Sequence, residues 1–194
     1  MRDLADRRGI ETEIYEAAED SHLLLEAARS EIEAKDLVLE VGTGSGYVAS
    51  EIRDETGATV IGSDVNPHAC RRARDLGIQT VCADLVAPFQ DGVFDAVLFN
   101  PPYLPRVEMA ARDDWVEDAL TGGEAGREVI EPFIETVGRV LASGGAVYLV
   151  VSTLTGPEAV ESQARSAGFE VQAVREASFP FEKLLVLELT PKRS

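Results

Sequence analysis

The sequence predicts an α/β fold in a single domain, organised around a mostly parallel sheet. Three observations carry this. Short apolar strands alternate with amphipathic helices, the pattern of a parallel sheet covered by crossover helices. A glycine-rich turn, Gly42 to Gly46, joins the first such strand to a helix. Late in the chain, Phe169 to Arg175 and Leu184 to Leu189 follow one another with no helix between them. That succession predicts an antiparallel hairpin at the sheet edge.

Leu23, Leu24, Ala27, Ala28 and Ile32 give a helical period over Glu19 to Ile32, with Asp20 and Ser21 placed to cap its start. Leu37 to Val41 is an apolar strand interrupted only by Glu40, and the glycine turn after it leads into a helix ending near Glu55. Thr59 to Gly62 is the second strand and closes at Asp64. Pro67 opens the next helix, because proline at the first helical turn gives up an N–H that has no partner there. Gly77 stops that helix. Ile78 to Cys82 and Phe94 to Phe99 are the third and fourth strands. Arg106 to Gly126 is polar and too long for a simple turn. Arg127 to Leu141 is expected as a helix stopped by Ser143-Gly144-Gly145, and Ala146 to Val151 as the fifth strand. Gly156-Pro157 opens a helix to Ala167.

The chain has 194 residues, of which 45% are hydrophobic. That is one domain at roughly 150 residues per domain, with enough apolar material for a core. No apolar run approaches the roughly 20 residues a membrane span needs, and Met1 to Glu13 lacks the apolar stretch of a secretory signal. Acidic residues outnumber basic ones 35 to 18, for a net charge of −17. Such a surface repels phosphate backbones and argues against a nucleic-acid partner. Lysine occurs only at Lys35, Lys183 and Lys192; arginine supplies the other positive charges. An acid-rich, lysine-poor surface fits a protein that works in high salt, where self-repulsion is screened. The cysteines, Cys70 and Cys82, form no metal-binding or Cys-x-x-Cys spacing. They are expected as small buried hydrophobes in a reducing cytoplasm. His22 and His68 lack a metal spacing and are expected at the surface or at helix ends. Trp115 is placed either to contact a substrate or to pack its loop down.

Four segments carry chemistry. Glu40-Val41-Gly42-Thr43-Gly44-Ser45-Gly46 lets the backbone pass close to a ligand. Its spacing departs from the dinucleotide fingerprint, which would want glycine where Tyr47 stands. Asp64, at the end of the second strand, is placed to accept both hydroxyls of a ribose, or alternatively to cap the helix ahead of Pro67. Asp84 and Leu85 follow the third strand. The sharpest segment is Asn100-Pro101-Pro102-Tyr103 at the carboxyl end of the fourth strand, where open parallel sheets bind ligands. Two prolines stiffen the turn while their carbonyls stay free to accept. The Asn100 amide oxygen and the Pro101 carbonyl can each take one N–H of a planar nitrogen while Tyr103 stacks on its plane. A glutamine amide and the exocyclic amino group of adenine or cytosine both present such a nitrogen.

With these residues in place, the sequence resembles the HemK-like protein-glutamine methyltransferases, in the archaeal and eukaryotic branch that modifies class I translation release factors. The glycine motif is similar to the first motif of class I S-adenosylmethionine-dependent methyltransferases. Tyr15-Glu16-Ala17-Ala18-Glu19-Asp20-Ser21, Asp64-Val65-Asn66-Pro67 and Gly122-Gly123-Glu124-Ala125-Gly126-Arg127-Glu128 resemble segments of the branch, with Ala17 where the family usually has proline. The resemblance implies a Rossmann-like class I methyltransferase with a seven-stranded sheet. It divides the chain into an N-terminal cofactor-covering segment and helix, 1–36, and a catalytic core, 37–194. It implies S-adenosylmethionine as cofactor, held by Ser21, Glu40, Gly42, Gly44, Gly46, Asp64, Asp84, Leu85 and Asn100. Catalysis falls to Asn100, Pro101, Pro102 and Tyr103, which with Leu104 bind the substrate; no metal is implied. About 36 residues precede the first strand, so the helical domain of the bacterial relatives is expected to be missing. A small zinc-binding activator protein is then implied as a partner, joined through the edge strand 78–82 by Ile78, Val81 and their neighbours. An adenine-N6 nucleic-acid methyltransferase, a protein-lysine methyltransferase and a non-catalytic cofactor-binding subunit are the alternatives.

Overall fold

The structure is a computed structural model that describes residues 19–102 and 126–192. Seven strands are formed: β1 (Leu37–Val41), β2 (Thr59–Asp64), β3 (Gln79–Cys82), β4 (Phe94–Phe99), β5 (Leu141–Ser152), β6 (Phe169–Phe179) and β7 (Glu182–Pro191). The described α-helices are α1 (Glu19–Ala28), α2 (Tyr47–Thr56), α3 (Pro67–Asp75), α4 (Ile130–Val137) and α5 (Pro157–Ser166). The sheet runs β3-β2-β1-β4-β5-β7-β6. Strands β1 to β5 pair in parallel, while β7 pairs antiparallel with both β5 and β6. This is the expected seven-stranded Rossmann-like methyltransferase sheet with its C-terminal hairpin.

Period-two alternation along the strands builds two cores. Val38, Val60, Leu98 and Val150 face α1, α2 and α3, represented by Leu24, Ile52 and Ala73. Leu39, Val97, Leu149 and Leu187 face the other way, onto Ile130, Phe133 and Val137 of α4 and Val160 of α5. With both faces covered, the central strands β1 and β4 and the second half of β5 are apolar almost throughout, which is why their runs were continuous in sequence, whereas the outer strands β3 and β6 are largely polar.

Several boundaries differ from expectation. The helix expected over Arg127 to Leu141 is α4, Ile130–Val137, because the Arg139 and Val140 N–H groups turn back to the Thr136 and Val137 carbonyls. The last two strands run longer than expected, over Phe169–Phe179 and Glu182–Pro191. α1 ends at Ala28 instead of Ile32; the Glu31 N–H bonds back to the Ala28 carbonyl and the chain turns, though Ile32 stays buried. Asp20 and Ser21 lie inside the first turn of α1 and do not precede it. Ser143-Gly144-Gly145 is not a helix stop but part of β5, which already pairs with Phe94 at Leu141. β5 advances from Leu141 to Ala146 while β4 advances only from Phe94 to Ala96, a bulge. A Cβ at Gly145 would lie 2.7 Å from the Phe94 carbonyl oxygen, so this glycine permits close passage of two strands.

Candidate functional site

All the expected site residues that the structure describes, apart from Ser21, lie at the carboxyl ends of β1, β2, β3 and β4, one rim of the sheet. β1 and β4 are neighbours with Val41 opposite Phe99, so Gly42 and Asn100 leave adjacent strand ends. Strand spacing puts such ends about 5 Å apart.

The turn after β1 needs its glycines. Gly42, Gly44 and Gly46 have φ of 65°, 51° and 79°, in the left-handed region that other L residues adopt at a cost. A Cβ at Gly46 would also meet Ala73 Cα at 2.9 Å, so α2 could not begin against α3 with a larger residue there. Two carboxylates hold this turn. Glu40 Oε2 accepts from Thr43 Oγ1 at 2.6 Å and from the Ala49 N–H at 3.1 Å, bracing the turn against the first turns of α2. Burial pushes the Glu40 carboxyl up to about 8, against the lowering effect of those two bonds. Asp64 Oδ2 accepts from the Gly44 N–H at 2.9 Å and Oδ1 from the Asn66 N–H at 2.8 Å. Burial also raises the Asp64 carboxyl above its ordinary value, with its backbone hydrogen bonds pulling the other way.

The two roles that sequence left open for Asp64 are divided by the structure. Asn66 is the N-cap of α3, its side chain accepting from the His68 N–H at 2.9 Å, with Pro67 opening the helix. The Asp64 carboxylate thus takes the Gly44 and Asn66 N–H groups, with the Val65 N–H also acting on it, and its roughly four acceptor positions are not all used. The remaining capacity is the acceptor that ribose hydroxyls, as donors, require.

Beyond β3 the chain is tied to the same residue, since the Ala83 N–H donates to the Asp64 carbonyl at 2.9 Å. Asp84 is exposed, and Leu85 is left-handed at φ 47°. A strained residue among those the resemblance implies for the cofactor is the kind of outlier that clusters at binding sites.

Ser21 is buried in the first turn of α1, where Asp20 Oδ1 accepts from its N–H at 2.7 Å. The tie that brings this turn to the site came from a residue that sequence reasoning had set aside. His22 is exposed as expected, but its Nδ1 lies 3.0 Å from the Tyr47 hydroxyl, and the two rings meet edge to face at 5.1 Å. Tyr47 follows Gly46 directly, so α1 is pinned to the end of the glycine turn.

Asn100 Oδ1 is buried, with no hydrogen-bond partner among the described residues. Buried acceptors are rarely left so, because the desolvation cost is not recovered. Pro101 is buried and Pro102 half-buried. The strand is held rigidly beneath them, as Phe99 packs on Phe133 with ring centroids 4.5 Å apart. Tyr103, Leu104 and Trp115, the 15–18 stretch and Gly122 to Ala125 lie outside the described residues. Arg127 is described, and its Nη1 donates to the Thr155 carbonyl at 2.8 Å, fastening the start of α4 to the turn after β5.

Two expectations need correction. Ile78 is buried in the core beneath α3, so it is not available at the β3 edge. Cys82 is exposed; its strand is at the margin of the sheet, and only Cys70, on the buried face of α3, is the buried hydrophobe expected of both. Burial and the neighbouring Cys82 thiol push the Cys70 thiol up to about 11. Among the described residues, no group of three or more His, Cys, Asp or Glu is placed to hold a metal ion, and no helix is long and apolar enough to cross a membrane.

A methyltransferase-domain family matches residues 39–101, which contain the glycine turn, Asp64 and the start of the Asn-Pro-Pro segment. A Methanocaldococcus jannaschii protein assigned as a protein N5-glutamine methyltransferase is 35% identical, covering 90% of both chains. The human methyltransferase HEMK2 is 33% identical over 94% of this chain and 92% of its own. Among solved structures, the E. cuniculi Mtq2–Trm112 complex, responsible for methylation of the translation termination factor eRF1, superimposes with a TM-score of 0.77. It has 27% identity and covers 93% of this chain and 100% of that one.

Proposed function

The chain belongs to the HemK-like protein-glutamine methyltransferases, and on that premise we propose that it methylates the side-chain amide nitrogen of a glutamine in the Gly-Gly-Gln loop of a class I translation release factor. The observation that carries this reading is the orphaned Asn100 Oδ1. A neutral amide oxygen, buried at the carboxyl end of β4, wants an N–H, and a primary amide brings two. Asn100 accepts one and the Pro101 carbonyl the other. Held by both, the amide plane cannot rotate, and its nitrogen is presented in one orientation. Tyr103 closes the plane from one side, and Leu104 flanks the substrate. No strong base is required near Asn100, because the nitrogen becomes acidic once alkylated and its proton then passes to water.

S-adenosylmethionine, when bound, supplies a methyl group made electrophilic by its sulfonium. The residues present fit that cofactor. Gly42, Gly44 and Gly46 would bring bare backbone to it, the Asp64 carboxylate would accept from the ribose, and Asp84 and Leu85 would flank the adenine. Glu40 holds the shape of the glycine turn, and Ser21 approaches from α1.

The partner we propose is a small zinc-binding activator seated on the β3 edge. A two-chain assembly is named for the E. cuniculi relative. Here the margin of the sheet shows exposed Val65 and Leu76 beside half-buried Val81. Covering such an edge by strand addition removes an aggregation hazard.

The test is incubation of the chain and activator with labelled cofactor and a release factor, either intact or with its loop glutamine changed to alanine. Label on the intact factor alone supports the reading. Label that persists on the alanine form rejects the glutamine assignment.

A further inference from the structure

The large apolar side chains exposed among the described residues fall in two places. Val65 and Leu76 lie beside β3, the edge discussed above. The other two, Leu154 and Phe181, lie at the opposite end of the same rim. Leu154 is 46% exposed, in the 3-10 turn Thr153–Thr155 that directly follows β5. Phe181 is fully exposed at 100%, in the two-residue connection Pro180-Phe181 between Phe179 and Glu182, the last pair of the β6–β7 hairpin.

Phe181 is unusual in a second way. Its φ is 72°, left-handed, where a bulky L residue is strained and glycine would be at ease. A hairpin tip in need only of a turn would carry glycine or asparagine there. This chain instead keeps a large aromatic ring in a disfavoured backbone and entirely in water. Neither cost returns anything to the isolated fold.

The tip is also held firmly. Ser152 Oγ donates to Glu182 Oε1 at 2.8 Å, and the Lys183 N–H donates to Thr153 Oγ1 at 3.0 Å. Ser152 sits opposite Leu184 in the β5–β7 ladder, so the tip projects past the carboxyl end of β5. β5 is the immediate neighbour of β4, which ends at Phe99, just before Asn100. The patch therefore begins one strand from the orphaned amide oxygen; its tip lies two strands across, about 10 Å, and five residues further along the strand direction, about 17 Å, for a separation of roughly 20 Å. A folded domain that delivers a loop to Asn100 is wider than this separation, so its surface can reach this part of the rim.

We propose that Leu154 and Phe181 form a docking patch for the body of the protein substrate, the domain that carries the methylated loop. The inference rests on the protein-glutamine reading and deepens it: the cleft at Asn100 recognises the amide, while the hairpin tip recognises the protein around it. The complementary feature is an apolar pocket or groove on that substrate domain, close to the loop, into which a rigid aromatic anchor fits.

The test uses the chain together with its activator. Phe181→Gly and Leu154→Ser are compared with wild type, singly and together. Phe181→Gly relieves the left-handed strain, so its melting temperature should not fall. The substrates are the intact release factor and a short peptide containing only Gly-Gly-Gln and its immediate neighbours. The double variant should raise KM for the intact factor about tenfold or more, and leave both constants for the peptide within about twofold of wild type. Cofactor affinity should be unchanged. An unchanged KM and an unchanged binding constant for the intact factor overturn the patch. Wild type that binds the factor but labels no glutamine overturns the protein-glutamine reading instead, and the variants' binding constants still decide the patch. Wild type that neither binds nor labels the factor overturns both.

Discussion

The backbone N–H of Gly44 donates to Asp64 Oδ2 across 2.9 Å, so the side chain proposed to hold the ribose also closes the turn proposed to receive the rest of the cofactor. Removing it therefore costs twice. Asp64→Ala should weaken S-adenosylmethionine binding about a hundredfold, the loss expected for charge-assisted hydrogen bonds together with a loosened turn. Titration calorimetry measures it; an affinity close to wild type would place the ribose elsewhere.

Asn100 should separate chemistry from binding. Asn100→Ala removes the buried acceptor and leaves the glycine turn and Asp64 untouched, so turnover should fall about a hundredfold or more. Cofactor affinity should weaken far less. Equal losses in single-turnover rate and cofactor affinity would assign Asn100 to the cofactor alone.

Glu40 should leave a mark on the pH dependence of stability. Its ordinary value is 4.5 and burial raises it to about 8 in the folded chain. Between those values the native state holds a proton that the unfolded state has released. Its contribution is therefore complete below the unfolded value and is lost as pH rises through the folded one, at up to about 1.4 kcal/mol per pH unit. Glu40→Gln keeps an oxygen for Thr43 and Ala49 but cannot ionise. The stability of wild type relative to Glu40→Gln should accordingly fall as pH rises through this window, measured by urea unfolding. A constant difference would show that Glu40 does not titrate there.

The two thiols should react differently. Cys70 is buried with its thiol pushed up to about 11, whereas Cys82 is exposed on the open flank of β3. Maleimide should label Cys82 first in the isolated chain, and the activator should protect it. Equal labelling of Cys82 with and without the activator would move the interface away from this edge. Mass spectrometry of the labelled peptides distinguishes these outcomes.

The net charge of −17 should make the fold salt-dependent. The melting temperature should climb as KCl is raised from about 0.1 M to about 2 M, because mutual repulsion of the carboxylates is screened. A melting temperature that peaks in dilute buffer would remove the high-salt reading.

What was legible in the sequence was what local chemistry dictates. β1 and β4 were found to the residue because strands buried on both faces are unbroken apolar runs. Pro67 and the glycines placed the helix starts, and the missing helix before Leu184 announced the hairpin. The rest depended on neighbours distant in sequence. Gly145 looks like a helix stop until Phe94 is seen passing beneath it. Asp64 could be read as the cap ahead of Pro67 until the His68 N–H was found on Asn66. Neither Tyr47 nor His22 carries a signal alone, since their contact arises only when α1 folds back onto the start of α2. The left-handed backbone of Leu85 and Phe181 has no sequence signature, because neither residue prefers it. The orphaned oxygen of Asn100 was expected as an acceptor, but its burial belongs to the packing around it.

The position of β7 between β5 and β6 imposes an order of assembly. β6 is synthesised first yet has no strand to pair with until β7 has followed it. The open flank of β5 waits for the same segment. The chain must therefore form this hairpin as a unit and dock it late, through contacts distant in sequence, a slow kind of step. Until then two strand edges stand uncovered on the nascent protein. In living cells, the interval between emergence of β6 and docking of β7 is when this chain most needs a chaperone.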